Sequence, residues 1–393
     1  MSTRRLARAL ALVVLSLTPT LVLGETVTAT RLVVADHRAP LVLLLDEAGI
    51  PILRLETAEP ARLSEGMHSG QVALRESHLG RVTLLETGLR VEGHGDHGDL
   101  RIGPPRRLPI ELLGPRPSHI VASDGLLAVF FDGDGSVLLA ESPDGTPPRR
   151  LSAAHAHHGV AFPYLAEGGP RIAISEAPAA GERPTGVVVR DVEGREVVRS
   201  ADCPRLHGEA RTGATIAFGC ADGLLLLDTR TGTFRKIANP PEAGERMVRN
   251  LAGGEDWRLF FGDFGPDAMV VVDPDAGAMR VVRLPARRLH FVLDRGRSDT
   301  GFVLTEDGML HAVALLDGAI RASIQATGRY SLEGGAAVAR PRLSAGGGIV
   351  AISDPANGRV LLHDGDTLAL RRVIETGGAP FDIRLVSLTG ERH

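Results

Sequence analysis

Residues Val270 to Val282 read VVVDPDAGAMRVV, and the order of residue types in that stretch decides the fold. An apolar, β-branched run ends in Asp273, turn residues follow, Gly277 closes the turn, and a second apolar run begins. Asp opens a tight turn by bonding its backbone, and glycine supplies the positive-φ position that tight hairpins require. The phrase recurs as LLLDEAGIPILRL (Asp46 to Gly49), VVVRDVEGREVV (Asp191 to Gly194), LLLLDTRTGTF (Asp228 to Gly232) and AISDPANGRVLL (Asp354 to Gly358). Each is a hairpin, and helix-period patterns are almost absent around them. The chain reads as all-β.

A second element precedes these hairpins at intervals of roughly 40 to 50 residues, the period of a β-propeller with about four strands per blade. Its members begin at His68, His119, His158, His207, Asn250, His290, near Arg342, and at Phe381. The last unit has one strand, whereas the N-terminus offers three (Arg31 to Ala35, Leu41 to Asp46, Ile52 to Glu56) with no opening segment. Joining them completes a blade and closes the ring, which removes exposed sheet edges. The expectation is a single propeller domain over residues 25–393 with about eight blades. Seven is the alternative, because the unit between His290 and Arg342 is poorly delimited.

Residues 1–24 read as a secretory signal, with Arg4, Arg5 and Arg8 ahead of an apolar run that ends in small residues. The mature chain is then expected in the periplasm, soluble, since no later apolar run is long enough to span a bilayer. A formal net charge of −4 with both signs interspersed offers no basic face for nucleic acid and no polybasic run for a membrane. Aromatic content of 4% argues against stacking platforms for bases. Cys203 and Cys220 in an exported chain read as a disulfide worth about 3 kcal/mol, with a two-thiolate metal site as the alternative.

First strands line a propeller's channel, so histidines that open them converge on the axis. His119, His158 and His207 belong to consecutive units, while His68 and His290 lie farther around the ring. Imidazole is a common metal ligand, and tetrahedral zinc takes three or four such nitrogens. Two neighbouring clusters add candidates. His94-Gly-Asp-His97-Gly-Asp, with Asp96 and Asp99, reads as a glycine-rich loop between blades suited to a metal-capture flap, or as a solvated loop. His155-Ala-His157-His158 places more imidazoles beside a channel position. Asp132-Gly-Asp134-Gly reads as a hairpin turn rather than a calcium loop. Phosphate-loop, Gly-x-Ser-x-Gly and His-Glu-x-x-His motifs are missing.

At Cys203-Pro-Arg-Leu-His207-Gly-Glu-Ala, at Ala217-Phe-Gly-Cys220-Ala-Asp-Gly, and at Gly93-His94-Gly-Asp-His97-Gly-Asp the sequence resembles the periplasmic zinc metallochaperones called AztD. Pro117-Ser-His119-Ile-Val, Ala128-Val-Phe-Phe-Asp-Gly-Asp-Gly and His157-His158-Gly-Val-Ala extend the resemblance, which is strong over residues 90–225 and elsewhere only propeller texture. It implies a zinc-binding propeller that passes zinc to the solute-binding protein of a zinc-importing ABC transporter; the chain is further expected to be a monomer and not an enzyme. It implies a Cys203–Cys220 bridge, a central site of His119, His158 and His207, and a flap or second site with His94 and His97. His157, Asp99, His155, His68 and His290 are lesser candidates. Relatives carry a histidine-rich stretch near the mature N-terminus, and here Glu25 to Pro40 has only His37. A metal-dependent hydrolase of the lactonase type and a non-catalytic interaction propeller remain competing readings.

Overall fold

The hairpin phrases fold as their turn chemistry dictates. Asp273 Oδ1 accepts the backbone N–H groups of Asp275 and Ala276, both at 3.0 Å, and Gly277 takes φ 64°. Strands Ala268–Asp273 and Ala278–Arg283 thereby pair antiparallel, with Asp273 opposite Ala278. Asp46, Asp191 and Asp228 accept turn amides in the same way. This computed structural model describes residues 25–392 except 95–96 and 295–298, and leaves the side chains of residues 94, 97 and 336 undescribed. The signal segment lies outside the described residues. Among them no helix is long and apolar enough to cross a membrane.

Among the described residues seven sheets have four strands each in sequence order, and one has six. In the six-stranded sheet the C-terminal strand Pro380–Arg392 pairs antiparallel with Glu25–Asp36, which leads outward to Leu41–Leu45 and Pro51–Glu56. The chain ends therefore close the ring as the strand count predicts. The poorly delimited unit after His290 is a complete sheet: Arg288–Leu293, Thr300–Thr305, Met309–Ala314 and Ile320–Gln325.

First strands touch one another around the ring. Pro380–Arg392 packs on Arg62–Glu65, which packs on Pro117–Ser123, which packs on Ala161–Ala166; farther round, Glu209–Thr212 meets Leu251–Ala252, and Arg288–Leu293 meets Leu343–Gly346. Apolar packing lies between sheets and not at the axis. One cluster joins Ala128, Phe130, Val137 and Leu139 to Ile172, Ile174 and Val188 of the next sheet. The division shows in single strands: Leu126–Phe131 is buried throughout, whereas the five central residues of Pro117–Ser123 are only half-buried. Because the second and third strands supply the apolar surface removed from water, the first strands are free to present polar groups to the channel.

Two sequence expectations need correction. His68 does not open a first strand: that strand is Arg62–Glu65, and His68 sits exposed in the turn before Gln71–Glu76. Leu63-Ser-Glu is too short and polar to stand out as an apolar run, so the register was displaced by one turn. Nor is the His94–His97 segment a loop between blades. Leu89–His94 and His97–Ile102 form a hairpin, His94 opposite His97, inserted between the third and fourth strands of one sheet, Arg81–Glu86 and Arg106–Leu113.

Candidate metal centre

Three consecutive strand starts bring His119, His158 and His207 together. His119 lies in Pro117–Ser123, where the ladder shifts between the Pro117 and Ile120 pairings; His158 and His207 just precede Ala161–Ala166 and Glu209–Thr212. Their ring centroids form a nearly equilateral triangle with sides of 5.2, 5.4 and 5.6 Å. One ring nitrogen from each lies within 4.8 Å of the others. Zinc with nitrogen ligands at ~2.0–2.1 Å in a tetrahedron needs about 3.3 Å between them, so small rotations of the rings close the cage.

Each imidazole is held through Nδ1. His119 bonds Glu209 Oε1 at 3.0 Å, His158 bonds Asp132 Oδ2 at 2.7 Å, and His207 bonds the carbonyl of Arg249 at 2.8 Å. A carbonyl only accepts, so the His207 proton sits on Nδ1 and Nε2 carries the lone pair. The side-chain oxygens of Glu209 and Asp132 that accept from Nδ1 select the same tautomer. Fixing one nitrogen as a donor leaves the other free to accept a metal, as in metal-bound histidine, and a carboxylate partner raises ligand basicity.

Local sequence explains the aim of each ring. His157 is buried beside Phe130, with Nδ1 2.7 Å from the carbonyl of His155 and Nε2 2.8 Å from Ser175 Oγ. That anchor fixes the backbone from which the adjacent His158 reaches Asp132. Gly208, at φ 77°, is required beside His207, since a Cβ there would stand 2.0 Å from the Arg249 oxygen that holds the ring. The Cys203–Cys220 disulfide, Cα–Cα 4.9 Å, ties the segment leading to His207 to the end of Thr215–Cys220. Both sulfurs are spent in the bridge, which removes the two-thiolate alternative.

Electrostatics differ within the trio. Burial lowers the His119 pKa, but the charge and hydrogen bond of Glu209 outweigh it, and the net shift is upward. Burial pushes His207 down, reinforced by the neighbouring imidazoles against the Arg249 carbonyl. The Asp132 carboxyl is held below its ordinary range: burial raises it, and bonds from His158 and Ser118 prevail. The His158 side chain is 53% exposed against 20% for His119, so the open side of the cage faces solvent past His158.

The other sequence candidates stand apart. Both nitrogens of His157 are engaged inside the protein. His155 is exposed and contributes its carbonyl to that anchor. His290 does occupy a first strand, but its Nδ1 accepts the Leu343 N–H at 3.1 Å and its Nε2 lies 3.3 Å from Arg342. Asp99 is buried and paired with Arg101 at 2.8 Å. The hairpin of His94 and His97 meets the ring at Glu391, opposite Asp99. Phe381, at the start of that C-terminal strand, packs on Arg62, and Arg75 bonds Ser118, so the trio is level with the start. Glu391 is ten residues farther along, roughly 30 Å at ~3.3 Å per residue, so the backbone carries this hairpin toward the opposite end. Glu209 and Asp132 escaped the sequence reading. The alternation in His207-Gly-Glu209 was a usable signal for the first; Asp132 was hidden in a turn phrase that Asp134 alone explains by accepting the Ser136 N–H at 3.0 Å.

No protein-family model matches the chain. It is 33% identical over 377 residues to the zinc chaperone AztD of Citrobacter koseri, across 94% of this chain and 89% of that protein. The chain belongs to the AztD family of zinc chaperones. A crystal structure of Citrobacter koseri AztD superposes with a TM-score of 0.88, covering 93% of this chain and all of that one, and a structure of apo AztD from the same organism with 0.84. The dihydro-heme d1 dehydrogenase NirN, 12% identical with a TM-score of 0.60, shares the fold alone. Likeness to AztD thus spans nearly the whole chain and is not confined to residues 90–225.

Proposed function

We propose that this AztD-family chain is a periplasmic zinc metallochaperone whose cargo is held by His119, His158 and His207 and handed to the solute-binding protein of a zinc-importing ABC transporter. Residues 1–24 would be the export signal, and residues 25–393 one monomeric propeller domain. The observation that carries the reading is the clustering of the trio, one ring nitrogen of each within 4.8 Å of the others, with each Nδ1 bonded to Glu209, Asp132 or the Arg249 carbonyl. Three neutral nitrogens and an open position suit zinc, and the absence of free thiolate leaves a site that incoming imidazoles can empty by ligand exchange.

Tying at the opposite end of the strands supports exit past His158. There Arg211 pairs with Asp124 at 2.6 Å, and Asp124 Oδ2 also accepts the Leu165 N–H at 2.7 Å, linking three successive sheets. The test is metal analysis of the untagged mature protein, followed by zinc transfer to an apo solute-binding protein. Stoichiometric zinc, and transfer faster than free dissociation allows, support a carrier. Turnover of ester or lactone substrates would favour a hydrolase, and a protein that binds no zinc would leave an interaction propeller.

A further inference from the structure

Beside the imidazoles on the ring, the neighbouring strand starts carry guanidiniums. Arg62 opens Arg62–Glu65 and Arg342 precedes Leu343–Gly346; their guanidinium carbons lie 4.1 and 5.0 Å from the centre of the Phe381 ring. Arg75, from Gln71–Glu76, donates to the carbonyl of Ser118. Other channel-side arginines are neutralised: Arg288 by Asp263 at 3.0 Å and Arg384 by Glu65 at 3.6 Å. Arg62, Arg75 and Arg342 form no ion pair with any carboxylate among the described residues. Nη1 of Arg62 and Nε of Arg75 are buried without a hydrogen-bond partner.

Such a grouping is costly by itself. Burial, opposed by Asp382 and reinforced by Arg342 and Arg75, lowers the Arg62 pKa to about 10, and burial likewise lowers that of Arg75. Asp382 is the carboxylate that acts on both, while its Oδ2 already accepts the Leu63 N–H at 3.0 Å. Asp132 also acts on Arg75 but is engaged with His158. Three guanidiniums against the carboxylates of Asp382 and Asp132 leave one positive charge without a counterpart. Buried donors without partners and uncompensated charge are features that a bound oxyanion relieves, and guanidinium forks match paired oxygens.

We infer that Arg62, Arg75 and Arg342 form an anion site in the channel wall that takes a small oxyanion. The site adjoins the imidazole trio through one residue. The Ser118 carbonyl takes the Arg75 bond, and the Ser118 hydroxyl bonds Asp132, which holds His158. An anion that draws Arg75 away from Ser118 would act on the support of one histidine.

The test uses the metal-free mature chain at low ionic strength and pH 8, so that its outcome is separate from that of the zinc reading. Succinate and inorganic phosphate are titrated separately by calorimetry, to distinguish charge spread over two carboxylates from charge on one centre. Saturable one-to-one binding of at least one of them is expected, weakened at least tenfold in Arg62→Gln and Arg342→Gln and unchanged in Arg195→Gln, an outer-turn control. Should Arg62→Gln not fold, Arg342→Lys keeps the charge, loses the fork, and is expected to bind severalfold more weakly. Saturable binding of neither dianion overturns the inference. So does binding that Arg342→Gln and Arg342→Lys leave intact, or that Arg195→Gln weakens as much as they do.

Discussion

His207 and His290 stand at corresponding strand starts of one ring, yet their surroundings prepare them for opposite uses. The Nδ1 of His207 donates to the Arg249 carbonyl, which leaves the lone pair on Nε2 of a ring whose centre lies 5.6 and 5.4 Å from those of His119 and His158. The Nδ1 of His290 accepts the Leu343 N–H, its Nε2 faces Arg342, and burial followed by the charges of Arg342, Arg384 and Arg288 drives its pKa well below the ordinary value. The repeat sets the position of an imidazole. What makes it a ligand is the partner on its other nitrogen and the sign of the charge around it.

That contrast can be broken first at the ligands. Replacing His119 or His207 with Ala removes a donor outright, and competition with a chelator should show zinc affinity falling by at least ~100-fold, beyond the range for an outer-shell partner. A smaller loss would mean that the rings are not ligands. Glu209→Gln keeps the shape and removes the carboxylate behind His119. Affinity should drop by about 10- to 100-fold, and a silent Glu209→Gln would deny the carboxylate its role.

Protons compete for the same lone pairs, at about tenfold in affinity per pH unit for each titrating imidazole. His119, shifted upward, retains its proton above the ordinary ~6.5 and erodes zinc binding first as pH falls; His207, shifted downward, joins only at lower pH. Zinc affinity measured from pH 8 to 5 should therefore decline in widening steps. A flat profile would count against histidine ligands.

The disulfide separates support from ligation. Cys203→Ser with Cys220→Ser should lower the unfolding free energy by about 3 kcal/mol in denaturant titrations and cost zinc affinity less than tenfold. A larger loss of zinc would make the bridge part of the cage. The smallest effect belongs to the other arc: His290→Gln should leave zinc affinity unchanged, and a measurable loss would extend the metal site around the ring.

Much of this was legible in the sequence because it rests on local chemistry. Asp-to-Gly turns announce hairpins, and a lone C-terminal strand facing three N-terminal ones announces closure. The trio was visible because three histidines fall at one place in successive repeats. Glu209, Asp132 and the Arg249 carbonyl were not, since each meets its histidine across sheets and no period records that contact. His68 misled for the converse reason: it mimics a strand start while the true one, Arg62–Glu65, is short and polar. The arginine arc was invisible as well, because Arg62 and Arg342 meet only over the ring of Phe381, which the C-terminal strand brings between their sheets.

The most direct test is anomalous diffraction at the zinc edge from crystals of the loaded mature protein. A single strong peak should lie about 2.0–2.1 Å from one nitrogen each of His119, His158 and His207, with every Nδ1 still bonded outward. A peak elsewhere, or one that two or fewer of these rings reach, would contradict the account.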